Sequence, residues 1–323
     1  MKMVFTRHLS LTGLSLLVLV AITCSCGMKK ENNLKSWLEE NMPGQLVIVE
    51  NIVDLDPRRL FIHKKETILA DAKDSEVQIV VTWSKDEEGL GISKEDITTQ
   101  LEESRRNTAA ARALFADLKS RGLDTFSVAV VDMAAYVLTY QEPTPERRAT
   151  YAETVLAAIT AIPNHPLTSI WIECMEPAEY GTQFKDIIPF GYWRRGDSYH
   201  DSNKIMSLDF EWNDEVRLEH LMPHWTCNYN SKRASEQMDA AYQAAAHWAS
   251  KNIPSPFYLE AEHMIEFSVD ETDPLAFRYS FPYFESKPDT TVYGYEETAL
   301  GHVSVSYQTD QKAFTHFEKV TEE

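Results

Sequence analysis

Residues 93–122 carry the strongest periodic signal in the chain. Ser93 can cap a helix together with Asp96 three residues later, and Gly122 is a typical helix stop. Between them, residues suited to a buried face recur at three- and four-residue spacing: Ile97, Leu101, Ser104, Thr108, Ala111, Phe115 and Leu118. The pattern predicts a long amphipathic helix with one buried stripe.

Strand-like runs lie on both sides of this helix, and most are joined by short turns. Before it, a helix at residues 34–41 precedes an antiparallel meander, and after it a second helix has Thr144 as its cap and Pro145 at its first position. The predicted strands are residues 45–53, 60–69, 77–83, 126–131, 135–140, 169–175, 206–212, 257–267, 275–284 and 301–307, and the later helices are residues 145–162, 231–251 and 310–320.

Short-loop strand pairs, without a strict strand–helix–strand rhythm, predict an α+β fold with antiparallel sheets packed against helices. Residues 177–202 have no clear period, and they divide an N-terminal α+β region, 34–176, from a C-terminal one, 203–323. Trp37 and Trp248 begin a shared pattern that ends a helix before a strand, with Asn and Pro at the same spacing. This suggests a divergent internal repeat of a helix plus a strand meander.

The first 25 residues have the three parts of a secretory leader. Lys2 and Arg7 precede an apolar core from Leu9 to Ile22, and a small-residue exit follows. The core has only about 14 residues, whereas a membrane-spanning helix needs about 20. The segment is therefore predicted to be removed.

The end of the leader, Thr23-Cys24-Ser25-Cys26, resembles the lipobox of bacterial lipoproteins. Ser25 before Cys26 suits the small residue that the processing peptidase prefers, so the resemblance implies cleavage before Cys26 and acylation of its thiol. It covers residues 1–27 only and also implies attachment to the cell envelope through the lipid, with residues 26–33 as a polar tether. Since Gly27 is not acidic, the outer membrane is the expected location.

The mature chain is strongly acidic. The leader contains two basic and no acidic residues, so its removal takes the formal net charge from −19 to −21. Such a field repels nucleic acid and keeps a protein soluble. Nucleic acids are therefore excluded as partners.

Cys174 and Cys227 are the cysteines that remain after Cys26 is acylated. The envelope permits disulfides, and a bridge between them would close a loop of about 50 residues. Cys174 also shares a strand face with Ile170 and Ile172, where a free thiol would pack in the core. The sequence leaves both alternatives open, a disulfide between the two cysteines or two free thiols.

Local motifs indicate neither catalysis nor a cofactor. Glu219, His220, His224 and Cys227 are metal-ligand types, but Pro223 should end the helix before His224 joins the same face. Patterns typical of serine hydrolases, zinc proteases, phosphate loops and dinucleotide-binding folds are absent from the mature sequence. Paired carboxylates leave no local signature, and the acidic side chains considered for that role are Glu173, Glu176, Glu260, Glu262 and Glu266.

Residues 189–202 form the predicted ligand-binding loop. Arginine and aromatic side chains together are typical of recognition surfaces, and long aperiodic loops are often functional. The residues concerned are Tyr192, Trp193, Arg194, Arg195 and Tyr199. If instead these rings fill the core, this interpretation fails.

The sequence as a whole therefore predicts a non-catalytic, lipid-anchored envelope protein that binds a glycan, a peptide or a partner protein. An envelope hydrolase acting on glycan or peptide is the alternative, and a structural component of an envelope assembly is a third. No metal and no cofactor is expected.

Overall fold

The computed structural model describes residues 33–52, 64–85, 87–162, 167–181, 186–189, 202–212, 215–228, 230–260, 266–270, 272–292 and 294–321. Within them the helices are α1 (Leu34–Asn41), α2 (Lys94–Ser120), α3 (Pro145–Ala161), α4 (Leu218–Leu221), α5 (Lys232–Glu236) and α6 (Met238–Asn252). The strands are β1 (Leu46–Ile52), β2 (Lys64–Asp71), β3 (Asp74–Ser84), β4 (Phe126–Val131), β5 (Ala134–Thr139), β6 (Ser169–Met175), β7 (Lys204–Glu211), β8 (Thr226–Cys227), β9 (Tyr258–Leu259), β10 (Glu266–Val269), β11 (Ala276–Phe284), β12 (Gly301–Gln308) and β13 (Ala313–Val320). The α+β prediction is confirmed.

The long helix α2 begins and ends where its sequence predicts. The Ser93 side chain accepts a hydrogen bond from the backbone N–H of Asp96, and Gly122 adopts a φ of +90° just after the last turn. The predicted stripe is buried except at its sixth member, because Leu114 takes the buried position and Phe115 is half-buried. Phe115 instead stacks on Phe126 at a ring-centroid distance of 4.7 Å.

The N-terminal sheet is the predicted antiparallel meander, with the order β1-β2-β3. Helix α1 and the first half of α2 pack on one face, where Leu38, Leu69, Ile79 and Ile97 form a small core. The structure therefore gives this meander a hydrophobic core of its own.

The central sheet has the order β4-β5-β6-β7-β8 and is mixed. Strands β5 and β6 run parallel because the connection between them contains α3, which crosses one face of the sheet. The other pairs are antiparallel. Since β6 pairs with β7, this sheet contains strands from both sides of residues 177–202. A domain boundary at residues 177–202 stays a prediction.

The C-terminal sheet is an antiparallel meander of β10, β11, β12 and β13, with β9 also paired to β11. The prediction of a helix at residues 310–320 was wrong. Those residues form β13, which pairs along β12 from Gln308↔Ala313 to His302↔Val320. The aromatic side chains of this segment suit a strand that packs one side on a neighbour, and Lys312 supplies a left-handed turn with φ +51°.

One large core joins the central and C-terminal sheets. The aromatic face of β11 is buried within it, as are three alanines of α6 at four-residue spacing: Phe277, Tyr279, Phe281, Tyr283, Ala241, Ala245 and Ala249. Small side chains let α6 approach the sheet closely. Both the N-terminal and the C-terminal meander follow a helix and use consecutive antiparallel strands. This topology is consistent with the internal repeat, which stays a prediction.

Candidate functional site

The predicted lipidation site and the predicted ligand-binding residues both lie outside the described part of the chain. The lipidation residue Cys26 and the loop residues Tyr192, Trp193, Arg194, Arg195 and Tyr199 lie outside the described residues. The described chain resumes at Ser202, three residues before Ile205, which lines the cleft described below.

The disulfide between Cys174 and Cys227 is not formed, and both residues are buried free thiols. Met206 of β7 lies opposite Cys174 on one side and opposite Cys227 on the other. Two strand spacings place their Cα atoms about 10 Å apart, beyond the roughly 7 Å limit for a disulfide. Burial raises the pKa of each thiol to about 12, so neither is a reactive thiolate at neutral pH.

The residues of metal-ligand type around Pro223 are also separated. His220 and His224 are exposed near the end of α4, whereas Cys227 is buried with its Sγ 3.9 Å from Thr309 Oγ1. Across the part of the chain that the structure describes, no group of three or more His, Cys, Asp or Glu side chains could hold a metal ion.

A cleft of about 360 Å³ opens where the central and C-terminal sheets meet. Its volume is near the lower end of small-ligand sites, which span about 300–1,000 Å³. Its walls come from the segment before and into α3, the start of β7, the junction of α5 and α6, and the β12–β13 hairpin. The residues used below are Glu142, Ile205, Met206, Arg233, Glu236, Phe277, Tyr307, Asp310 and Lys312.

Arg233 on α5 is held between two carboxylates at this cleft. Its Nη1 and Nη2 donate to Glu142 at 2.8 and 2.9 Å, and its Nε and Nη2 donate to Glu176 at 2.7 and 3.0 Å. Both contacts are bidentate, which fixes the guanidinium plane. The hydrogen bonds from Arg233 lower the pKa of Glu142 despite its partial burial.

A second arginine supports the wall from behind. Arg148 on α3 is 4% exposed and donates to both carboxylate oxygens of Asp310, at 2.7 and 2.6 Å. Its Nη1 also donates to the carbonyl oxygen of Pro143 at 2.9 Å. The contact ties α3 to the β12–β13 hairpin across the cleft.

The floor of the cleft is apolar. Ile205, Met206 and Phe277 are buried, and the half-buried ring of Tyr307 lies 5.1 Å from the ring of Phe314. At the rim, Glu236 and Lys312 are exposed and carry opposite charges. The cleft therefore offers an apolar surface with both signs of charge around it.

This arrangement favours binding over acid–base chemistry. A general acid needs a carboxyl whose pKa is raised toward neutrality, whereas Arg233 lowers the pKa of Glu142. Asp310 is occupied by the buried guanidinium of Arg148. The ion pairs of Arg233 and Arg148 can hold the wall of the cleft rigid, while Glu142 and Asp310 are not available for proton transfer.

Two of the carboxylates considered from the sequence pair with basic side chains. Glu176 binds Arg233, and the buried Glu173 lies 3.5 Å from Lys204 Nζ. Glu260 is 3% exposed, and its backbone N–H donates to the carbonyl oxygen of Pro282 in β11. Glu262 lies outside the described residues.

The cleft residues Glu142, Arg233 and Asp310 were missed by sequence reasoning. Arg233 is 91 residues from Glu142, and Arg148 is 162 residues from Asp310. No local spacing signals such pairs. Only an unusual Glu-Pro-Thr-Pro segment at residues 142–145 marks one wall in the sequence.

No protein-family model, curated protein or solved structure matches the chain. Each helix within the described ranges is too short or too polar to cross a bilayer.

Proposed function

We propose that this protein is a lipid-anchored outer-membrane protein whose α+β domain binds a short peptide, without catalysis, in the cleft between its central and C-terminal sheets. The observation that carries the proposal is the cleft itself, in which Arg233 is held by Glu142 and Glu176 beside a floor of buried apolar residues. Such pre-organised walls reduce the entropy lost when a ligand binds.

The charges around the cleft support a peptide as the ligand. Glu236 and Lys312 at the rim can pair with basic and acidic groups, while Met206, Phe277 and Tyr307 offer apolar contact. A peptide segment carries charges of both signs and apolar side chains, whereas a neutral glycan presents mainly hydroxyls. The small volume suits a short segment of chain more than a folded partner.

The state of the carboxylates supports a non-catalytic role. The pKa is lowered at six of the described carboxyl groups, which are Asp71, Asp74, Glu142, Glu146, Asp270 and Asp289. The envelope-hydrolase alternative requires a carboxylic acid that stays protonated near neutral pH.

The lipid anchor is supported by the leader and by the lipobox-type residues before Cys26. Several acyl chains make attachment stable, whereas one chain holds a protein only marginally. Incorporation of radiolabelled palmitate, and its loss in Cys26→Ser, tests this half of the proposal. An unmodified first residue in the native protein contradicts it.

Binding is tested with the purified lipidated protein on an array of short peptides and of glycans. Glu236→Trp places an indole at the cleft rim and should weaken peptide signals by about tenfold, equivalent to about 1.4 kcal/mol. Lys232→Trp is the matched control, because it lies on the same helix, breaks the same Lys232–Glu236 ion pair and does not line the cleft.

The pattern of loss decides between the interpretations. If wild type and Glu236→Trp bind peptides equally, the cleft is not the binding site. If wild type and Lys232→Trp bind glycans but Glu236→Trp does not, the ligand of the cleft is a glycan and not a peptide. Trp193→Ala tests the predicted loop separately. An unchanged array pattern in that variant discards the loop and leaves the cleft in place.

A further inference from the structure

Strand β1 exposes a run of apolar side chains. Val47, Ile48 and Val49 are 53%, 36% and 47% exposed, and they are three of the seven large hydrophobic residues that are exposed in the described part of the chain. The other four are dispersed over residues 133–320. Consecutive exposed apolar residues in a soluble domain mark an interaction surface more often than isolated ones do.

The local backbone explains the exposure of Val49, the last residue of this run. In a regular strand, neighbours point to opposite faces, and one face is normally covered. Here the pairing with β2 shifts between Ile48 and Glu50, so Val49 is an extra, unpaired residue. A bulge of this kind bends an edge strand, and β1 is the outermost of the described strands in its sheet.

A groove of about 360 Å³ lies between this strand and α1. Leu38 and Met42 form its apolar side on α1, and Leu46, Val47 and Ile48 form its side on β1. Lys35 and Glu39 stand at its rim. The exposed run and the groove together form one apolar surface on the first two elements of the domain, called the β1 patch below.

The position of the β1 patch relative to the anchor indicates what covers it. Six residues separate Cys26 from Asn33, the cap of α1, so even a fully extended chain holds Asn33 within about 25 Å of Cys26. The groove begins two residues later, at Lys35. A domain tethered this closely meets the bilayer at a high effective concentration, so a weak apolar contact is sufficient to orient it.

We propose that the β1 patch rests in the interfacial layer of the bilayer to which Cys26 is anchored. The inference depends on the proposed lipid anchor and goes beyond it, because it assigns the orientation of the domain on the membrane. Residues 47–49 carry no charge, so the exposed run itself meets the lipid without a charge, while Lys35 and Glu39 lie at the rim of the groove. With α1 and β1 against the bilayer, apolar area leaves water without inserting a helix.

The test places a nitroxide label on the lipidated protein in vesicles of phosphatidylcholine and phosphatidylethanolamine. Val47→Cys and Val49→Cys carry the label in the β1 patch, and Val320→Cys is the matched control, an exposed valine on β13 in the C-terminal sheet. The buried thiols of Cys174 and Cys227 do not compete for the label. Collisions with oxygen, which enters the bilayer, are compared with collisions with a water-soluble nickel chelate.

The labels at 47 and 49 should show an oxygen-to-nickel collision ratio severalfold above that at 320. Equal ratios on protein that floats with the vesicles overturn the inference. Spin–spin broadening at 47 and 49, without higher oxygen access, shows a second copy on the patch and also overturns it. Protein that does not float with vesicles overturns the anchor and the orientation together, whereas the first two failures leave the anchor intact. Unchanged melting temperatures confirm that each variant is folded.

Discussion

Arg148 and Arg233 are both held by carboxylates, but their surroundings differ. Arg148 is 4% exposed, and its Nε has no hydrogen-bond partner among the described residues. The side chain of Arg233 is 28% exposed and fully engaged by two glutamates. Burial lowers the pKa of Arg148, but the hydrogen bonds to Asp310 and the negative charge of that carboxylate together outweigh burial, so the pKa is raised and the side chain stays charged. A buried charge of this kind depends heavily on its counter-ion.

Removing either member of the Arg148–Asp310 pair should destabilise the fold unequally. Asp310→Asn leaves a buried guanidinium without a counter-ion and should cost about 4 kcal/mol, within the range for broken buried pairs. Arg148→Met leaves a carboxylate whose side chain is 27% exposed and can regain water, so a smaller loss of about 3 kcal/mol is expected. Urea denaturation measures both.

Arg147→Met serves as the matched control, since this neighbouring arginine is exposed. It should change the free energy of unfolding by less than about 0.5 kcal/mol. Equal losses in Arg147→Met and Arg148→Met would mean that the buried pair has no special role.

The elements differ in how far their own residues specify them. Helices α2 and α3 carry side-chain caps at Ser93 and Thr144, and both begin directly after these residues. Strand β13 has no such boundary signal. The three-residue spacing of Phe314 and Phe317 fits one face of a helix. In β13 the unpaired His316 shifts the register between them, and pairing with β12 decides the outcome.

The cap of α2 should contribute measurably to stability. Ser93→Ala leaves the N–H of Asp96 without its side-chain acceptor and should lower the free energy of unfolding by about 1 kcal/mol. Ser120→Ala, at the other end of the same helix, is the control. Its hydroxyl donates to Asp117 within the last turn and caps no free N–H, so a change below about 0.5 kcal/mol is expected. A loss at Ser120 that matches the loss at Ser93 would contradict the capping argument.

The whole molecule combines a single large core with a strongly acidic charge. The core joins the central and C-terminal sheets, while the N-terminal meander has a smaller core linked to the rest through α2. The carboxylates with lowered pKa are spread over these regions, from Asp71 to Asp270. Burial raises the pKa of Asp270, but the hydrogen bonds from Ser306, Thr272 and the backbone together lower it by more than burial raises it.

Stability should therefore have a maximum in mildly acidic solution. With a net charge of −19 and an isoelectric point near 5.0, lowering the pH from neutrality first relieves repulsion. A group with a depressed folded-state pKa stabilises above its unfolded value and loses that contribution as the pH falls through the folded value. The loss should begin below the ordinary pKa of 4.5 for Glu142 and deepen below 3.8 for Asp71 and Asp270.

Melting temperature followed against pH by circular dichroism checks this profile. Glu142→Gln should flatten part of the acid limb, whereas Gln at the exposed Glu153 should leave it unchanged. A melting temperature that keeps rising below the isoelectric point would contradict this profile, because the net charge there becomes positive while the paired carboxylates lose their contribution.

The sequence alone was sufficient for the features that depend on near neighbours. The caps and stripe of α2, the start of α3 and the strands β4 to β6 follow from spacings of two to four residues, which the backbone geometry of helices and strands makes readable. The aromatic residues of β11 likewise alternate in the sequence, and the face that they share is buried.

Only the tertiary structure decided which distant residues meet. Arg233 joins Glu142 and Glu176 because the order of the strands brings α5 beside the segment before α3 and the end of β6. The same order places β7 between Cys174 and Cys227 and so keeps their thiols apart. Contacts across 57 to 162 residues depend on sheet order and packing, and no local pattern encodes them.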